Sequence, residues 1–170
     1  MDETREFFRF VKGYDNYMIS NFGRVFNLKS LRMLKLHTSK RGYNTIGLYK
    51  YGISKTRRVH ILIANAFFKN PENKKMVDHI DGNGLNNNIS NLRWATGSEN
   101  SQNAKLSKKN TSGFKGVSFN KKKQKWEVKI GINNKYKHLG YYTDIEYAKA
   151  ARKKAVDEYF GQFANACEMY

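Results

Sequence analysis

The chain has 170 residues, a hydrophobic fraction of 39%, and 32 Lys/Arg against 14 Asp/Glu, for a net charge of +18. Its one cysteine, Cys167, excludes an internal disulfide framework and a Cys-rich zinc site. No apolar run approaches the roughly 18 residues needed to cross a membrane, and the start Met1-Asp2-Glu3-Thr4-Arg5 is not a secretory signal, so an intracellular protein without a membrane partner is expected.

The charge is unevenly placed. Residues 1–76 hold 16 Lys/Arg against 5 Asp/Glu, and residues 105–141 hold 11 against 1. Between them, residues 77–104 hold 1 against 3, and the end of the chain from 142 holds 4 against 5. Two basic blocks around a near-neutral centre point to polyanion binding by the blocks and chemistry at the centre. A membrane-surface role is disfavoured, because the basic residues lie in short strand-like segments rather than on an amphipathic helix.

In chain order, residues 7–50 read as short strands and turns. Tyr17-Met18-Ile19 and Arg24-Val25-Phe26 bracket Ser20-Asn21-Phe22-Gly23, and Tyr43–Tyr49 alternates at period two. Residues 57–68 change to helical spacing at Val59, Leu62, Ile63, Ala66 and Phe67, ended by Asn70-Pro71. Met76–His79 reads as a strand, 81–91 as a loop rich in Gly and Asn, and Leu92–Ala95 as a second strand. Thr96 or Ser98 can cap a helix running to about Leu106. Residues 105–112 are polar and basic, as in a linker. Strands follow at 116–119, 125–132 and 137–142, then a helix with Thr143 as cap, Glu146 three residues on, and Gly161 as terminator. The fold class is α+β: a central strand–loop–strand–helix unit, then a three-stranded sheet with one packed helix.

The chemistry concentrates in Val77-Asp78-His79-Ile80-Asp81-Gly82-Asn83, Asn91-Leu92-Arg93-Trp94 and Asn100. Phosphodiester hydrolysis needs a base for water and an offset for the charge building on phosphoryl and leaving oxygens. Asp78 is a hard oxygen donor suited to Mg2+ or Mn2+, and His79 titrates near neutral pH. For adjacent strand residues to serve one phosphate the strand must end there, and Asp81-Gly82-Asn83 supplies the bend. Asn86-Asn87-Asn88 reads as solvated loop.

This pattern resembles the ββα-metal motif of HNH endonucleases, most closely the homing endonucleases of phage and viral introns. The resemblance implies that Asp78 and Asn100 bind the metal, His79 is the general base, and Asn91 holds the loop and orients His79. Asn100 stands where HNH nucleases that bind zinc or nickel often carry His, and its amide oxygen favours Mg2+ or Mn2+ by ligand hardness. On the same resemblance Arg93 is a candidate phosphate contact, Trp94 a packing anchor, and His60 a structural or DNA-contacting residue.

The segment from Val11-Lys12-Gly13-Tyr14 through Tyr17–Val25 and Gly42-Tyr43 to Val59-His60 resembles the NUMOD4 module, which is associated with DNA binding. Arg24, Lys35, Lys40 and Arg41 are its candidate phosphate contacts. Ser112–Val117, Lys125–Ile130, His138–Tyr142 and the Ala-rich helix resemble an AP2 domain, a family whose sheet enters the major groove. Lys115, Ser118, Asn120, Lys129 and Lys137 are the matching positions, with Lys where several Arg would stand, which shifts binding toward phosphates.

The expected organisation is 1–56 NUMOD4-like, 57–104 nuclease core, 105–112 linker and 113–170 AP2-like. The expected activity is a site-specific endonuclease on double-stranded DNA, acting as a monomer and nicking one strand. The alternative is a non-catalytic DNA-binding regulator with a vestigial core, against which the intact Asp78, His79, Asn91 and Asn100 set argues. RNA binding is disfavoured because strands do not enter the narrow major groove of A-form RNA.

Overall fold

The computed structural model describes residues 5–168, which form two compact units divided between Ala95 and Thr96. In the first unit, β1 (Phe8–Val11), β2 (Tyr14–Ser20), β3 (Val25–Asn27) and β4 (Arg32–Met33) form an antiparallel sheet in that order. A second antiparallel sheet comprises β5 (His37–Thr38), β6 (Asn44–Lys50) and β7 (Ile53–Arg58). Helix α1 (Val59–Phe67) follows without a break, and a third, two-stranded sheet pairs β8 (Met76–His79) with β9 (Leu92–Ala95).

Period-two alternation buries Tyr17 and Ile19 on β2 and Ile46 and Leu48 on β6. Helical spacing buries Val59, Leu62 and Ile63 on α1. These side chains join Val11, Val25, Val77 and Leu92 in one cluster, with Trp94 packed against it. Elements on both sides of residue 56 thus share a single core, and the NUMOD4-like and nuclease segments are not separately packed bodies. The physical cause is size: three sheets of two to four strands cannot each bury an apolar face, and α1 supplies the common surface.

The second unit opens with α2 (Gly97–Gln102), which stops at Gln102 rather than near Leu106. Its start is the capping box of Thr96 and Glu99. Strands β10 (Val117–Asn120), β11 (Lys125–Ile132) and β12 (Lys135–Tyr142) make an antiparallel sheet covered on one face by α3 (Ile145–Tyr159). The N-cap of α3 is Asp144, one residue after the expected Thr143, because its carboxylate takes the Glu146 N–H at 2.7 Å. Gly161, at φ +49°, follows the end of α3 as expected. Val117, Val128 and Ile130 point to α3, where Ala148, Ala155 and Val156 meet them. Among the described residues no helix is long and apolar enough to cross a membrane.

Candidate active site

Strand β8 ends on the acid–histidine pair, and antiparallel pairing sets Asp78 opposite Arg93 and His79 opposite Leu92. Both are buried, each 5% exposed. The chain reverses directly after them: Gly82 N–H donates to the His79 carbonyl at 2.8 Å, and Gly82 takes φ +64°, which glycine adopts without strain. The bend expected from Asp81-Gly82-Asn83 is therefore present.

Asp81 is the hub of the loop that follows. Its Oδ1 accepts from the Asn83 N–H at 2.7 Å and Asn91 Nδ2 at 2.9 Å, and its Oδ2 accepts from Asn86 Nδ2 at 2.8 Å. Burial pushes the Asp81 carboxyl upward, but these bonds and the nearby His79 outweigh it and hold its pKa below the ordinary value. Asn91 closes the loop from the far side, accepting from the Asp81 N–H at 3.0 Å and donating to the Asn86 carbonyl at 2.9 Å.

The amide that faces the histidine belongs to Asn87, whose Oδ1 lies 3.3 Å from His79 Nε2. Asn87 is 4% exposed, so the expectation of a fully solvated Asn86-Asn87-Asn88 loop fails at its central residue. Which of three consecutive asparagines turns inward depends on the Asx turns at Asn83 and Asn88, and no periodicity in the sequence marks it.

Two rings pack on His79. The His60 centroid is 4.8 Å away, edge to face, and that of Tyr43 is 5.9 Å away. His60 is 3% exposed and its Nδ1 is buried without a hydrogen-bond partner, so its ring faces the core rather than solvent. Burial lowers its pKa to about 3, with His79 and Arg58 adding to the effect. Burial likewise lowers the His79 pKa, against opposing contributions from Asn87, Asp81 and Asp78. A neutral imidazole at neutral pH is the form able to accept a proton.

Arg93 Nε and Nη2 donate to Asp78 Oδ2 at 2.9 and 2.7 Å across the β8–β9 pair. The residue expected on a phosphate therefore sits on the expected metal ligand. Asn100 lies partly exposed on α2 of the second unit. The Asp78 carboxylate is a hard oxygen donor of the kind a small hard cation takes, a cation that keeps several waters and few protein ligands. Among the described residues no three His, Cys, Asp or Glu side chains gather into a denser metal cluster.

The other expected DNA contacts divide by environment. Lys35, Lys40 and Arg41 are exposed, and Arg24 is exposed but ion-paired with Glu6. In the second unit, Ser118 and Lys129 share the sheet face away from α3. Lys137 does not. It stands opposite the α3-facing Ile130, and its Nζ donates to the Tyr159 hydroxyl of α3 at 2.7 Å, a bond that raises its pKa. Lys115 is also withdrawn, donating to the Gln102 carbonyl at 2.7 Å and pairing with Glu168 at 3.0 Å. Asn120 shapes the β10–β11 turn by accepting from the Lys122 and Lys123 N–H groups at 3.1 Å. Spacing alone did not reveal these partners, because each lies on an element distant in sequence or within a turn.

An acid–histidine pair at a strand end, locked by an asparagine-rich loop to a second antiparallel strand, is the mixed α/β arrangement of the HNH class. The HNH endonuclease family matches residues 57–102 and the NUMOD4 motif residues 6–49. The solved structure of the homing endonuclease I-HmuI, described for its binding and cleavage of DNA, is 34% identical. It aligns at a TM-score of 0.55 over 89% of this chain and 88% of that one. By sequence, I-HmuI of Bacillus phage SP01 is 46% identical over 94 residues, 55% of this chain and 54% of that protein. HNH endonuclease L245 of Acanthamoeba polyphaga mimivirus is 37% identical over 135 residues, 78% of this chain and 39% of that protein. The chain thus spans about half or less of the length of these two curated relatives. It belongs to the HNH homing endonuclease family.

Proposed function

We propose that this chain is a site-specific, divalent-metal-dependent DNA endonuclease that nicks one strand of duplex DNA. The observation that carries the reading is the buried Asp78-His79 pair at the end of β8, with a loop built to hold it. In this reading His79, kept neutral by burial, takes the proton from the attacking water. Asp78 and, by the family resemblance, Asn100 would hold Mg2+ or Mn2+, and such an ion would offset charge on the phosphoryl and leaving oxygens. Arg93 pairs with the Asp78 carboxylate, and in this reading its guanidinium passes to a phosphate oxygen when DNA binds. One acid–histidine pair per chain gives one cut per binding event, so a monomer nicks.

Lys35, Lys40 and Arg41 are the proposed phosphate contacts of the first unit, since their charges face solvent. For the second unit we propose an AP2-like use of the open sheet face, led by Lys129 with Ser118 beside it. The support is the three-stranded sheet with one covering helix. Glu127 in the same face accepts from the Tyr141 hydroxyl at 3.0 Å and pairs with Lys129 at 3.0 Å, which damps the positive charge there. Sequence discrimination from this face is accordingly weak, and phosphate contact dominates.

The test is conversion of supercoiled plasmid bearing the target site to open circles in Mg2+. His79→Ala is expected to lose about two to four orders of magnitude in rate while still binding DNA. Equal nicking by wild type and His79→Ala refutes the mechanism; tight specific binding without any cutting by the wild type favours a DNA-binding regulator.

A further inference from the structure

We propose that Asn87 is a positioning residue that fixes the tautomer of His79, and that Gly23 of the N-terminal sheet is there to seat it. For its catalytic consequence the proposal rests on the endonuclease reading above.

The geometry of the amide decides its chemistry. Asn87 Nδ2 donates to the Leu85 carbonyl at 3.1 Å, which turns the other end of the amide, Oδ1, toward His79 Nε2. An amide oxygen can only accept, so the ring nitrogen facing it must carry the proton. Neutral His79 is therefore held with hydrogen on Nε2 and its lone pair on Nδ1. Both residues are buried, so bulk water does not compete for Nε2, and the His60 and Tyr43 rings limit rotation of the imidazole. A histidine base delivers its lone pair usefully only when the other nitrogen is held in this way.

The support for Asn87 comes from a part of the chain outside the acid–histidine motif. A Cβ at Gly23 would fall 2.9 Å from Asn87 Cβ and 3.3 Å from Val59 Cγ1, closer than side-chain carbons pack. Gly23 also takes φ +87°, so any other residue there is strained as well as crowded. Beside it, the carbonyl of the fully buried Asn21 accepts the Ile89 N–H at 2.8 Å, pinning the loop two residues beyond Asn87. The Ser20–Gly23 turn thus forms the seat on which the histidine-holding loop rests. The NUMOD4-like segment contributes to the active site through this turn, in addition to its exposed basic side chains.

The experiment is long-range 1H–15N correlation of the His79 ring in the full chain at a pH where it is neutral, together with nicking kinetics. The wild type is expected to show the Nε2–H tautomer; a dominant Nδ1–H tautomer overturns the proposal. Asn87→Leu removes the acceptor at similar volume. It is expected to mix the tautomers and lower kcat by about 10- to 100-fold, with KM for DNA little changed. Gly23→Ala, which displaces Asn87 without touching His79, is expected to shift the same ring signals in the same direction. Asn87→Leu with wild-type tautomer and turnover overturns the proposal. A wild type that cuts no DNA removes the endonuclease reading but leaves the ring spectrum to decide the role of Asn87.

Discussion

His60 stands in the sequence as either a structural or a DNA-contacting residue, and its surroundings in the fold are those of a packed core side chain. Its position at the head of an apolar helix, after two arginines, leaves both readings open. The ring turns inward and packs against the rings of Tyr43 and His79. The consequence is thermodynamic. The folded His60 pKa is about 3, whereas an unfolded histidine titrates near 6.5, so below about pH 6.5 the unfolded chain binds a proton that the native chain refuses. Stability is full above that value and falls as the pH drops toward the folded pKa, by up to about 1.4 kcal/mol per pH unit for this group. His79, also lowered by burial, adds in the same direction. Replacing His60 by Phe keeps a ring and removes the titration. Urea unfolding near pH 7.5 and near pH 5 is expected to show a smaller loss on acidification for His60→Phe than for wild type. An equal loss in both would mean that His60 is not the buried neutral group described.

At the level of elements, the sequence carried the strands and helices that obey one period, and lost those fixed by something else. Alternation at Tyr43–Tyr49 and helical spacing at Val59–Phe67 reappear as β6 and α1, since burial on one face both writes the pattern and forms the element. Strand β7 was not legible. Every one of its six residues is exposed, so it has no apolar alternation, and its register comes from the Tyr51-Gly52 turn. Both turn residues have positive φ, 51° and 76°, the geometry usually announced by Asn-Gly and here disguised by a tyrosine. At the site, Asp78-His79 was legible because rare residue types stand together at a strand end. Asn87 was not, because its identity as the inward-facing amide is a property of the folded loop. The end of the second unit was equally hidden. Arg152 on α3 donates Nε to Glu168 Oε1 at 2.8 Å and Nη1 to the Lys129 carbonyl of β11 at 2.8 Å, with Lys115 on the other carboxylate oxygen. Glu168 is 1% exposed and Arg152 3%, so removing one partner leaves buried charge without its counterpart. Glu168→Ala is expected to destabilise this unit by about 3–5 kcal/mol. Arg152→Met with Glu168→Leu is expected to recover part of that loss. A loss below about 1 kcal/mol for Glu168→Ala would show that the pin between α3 and the sheet is solvated rather than buried.

For the molecule as a whole, the net charge of +18 is meaningful only after the engaged cations are separated from the available ones. Lys115, Lys137, Arg93 and Arg152 already donate to protein oxygens, and His60 is buried and neutral. Lys35, Lys40 and Arg41 in the first unit and the Lys121-Lys122-Lys123 turn in the second face solvent. Each phosphate neutralised by such a side chain releases condensed counterions and adds about 0.9 to the slope of log affinity against log salt. Those six cations alone would cost roughly three orders of magnitude in affinity between ~50 and ~200 mM monovalent salt. Changing Lys40 and Arg41 together to Ala is expected to reduce the slope by about two and to weaken binding to cognate and unrelated DNA alike. Changing Lys137 to Ala is expected to leave the slope unaltered, because its ammonium is held on the Tyr159 hydroxyl on the α3 side of the sheet. Fluorescence anisotropy across a salt series reads both slopes. A drop in slope on Lys137→Ala as large as that from one of the exposed residues would mean that the α3 side of the sheet, not its open face, meets the duplex.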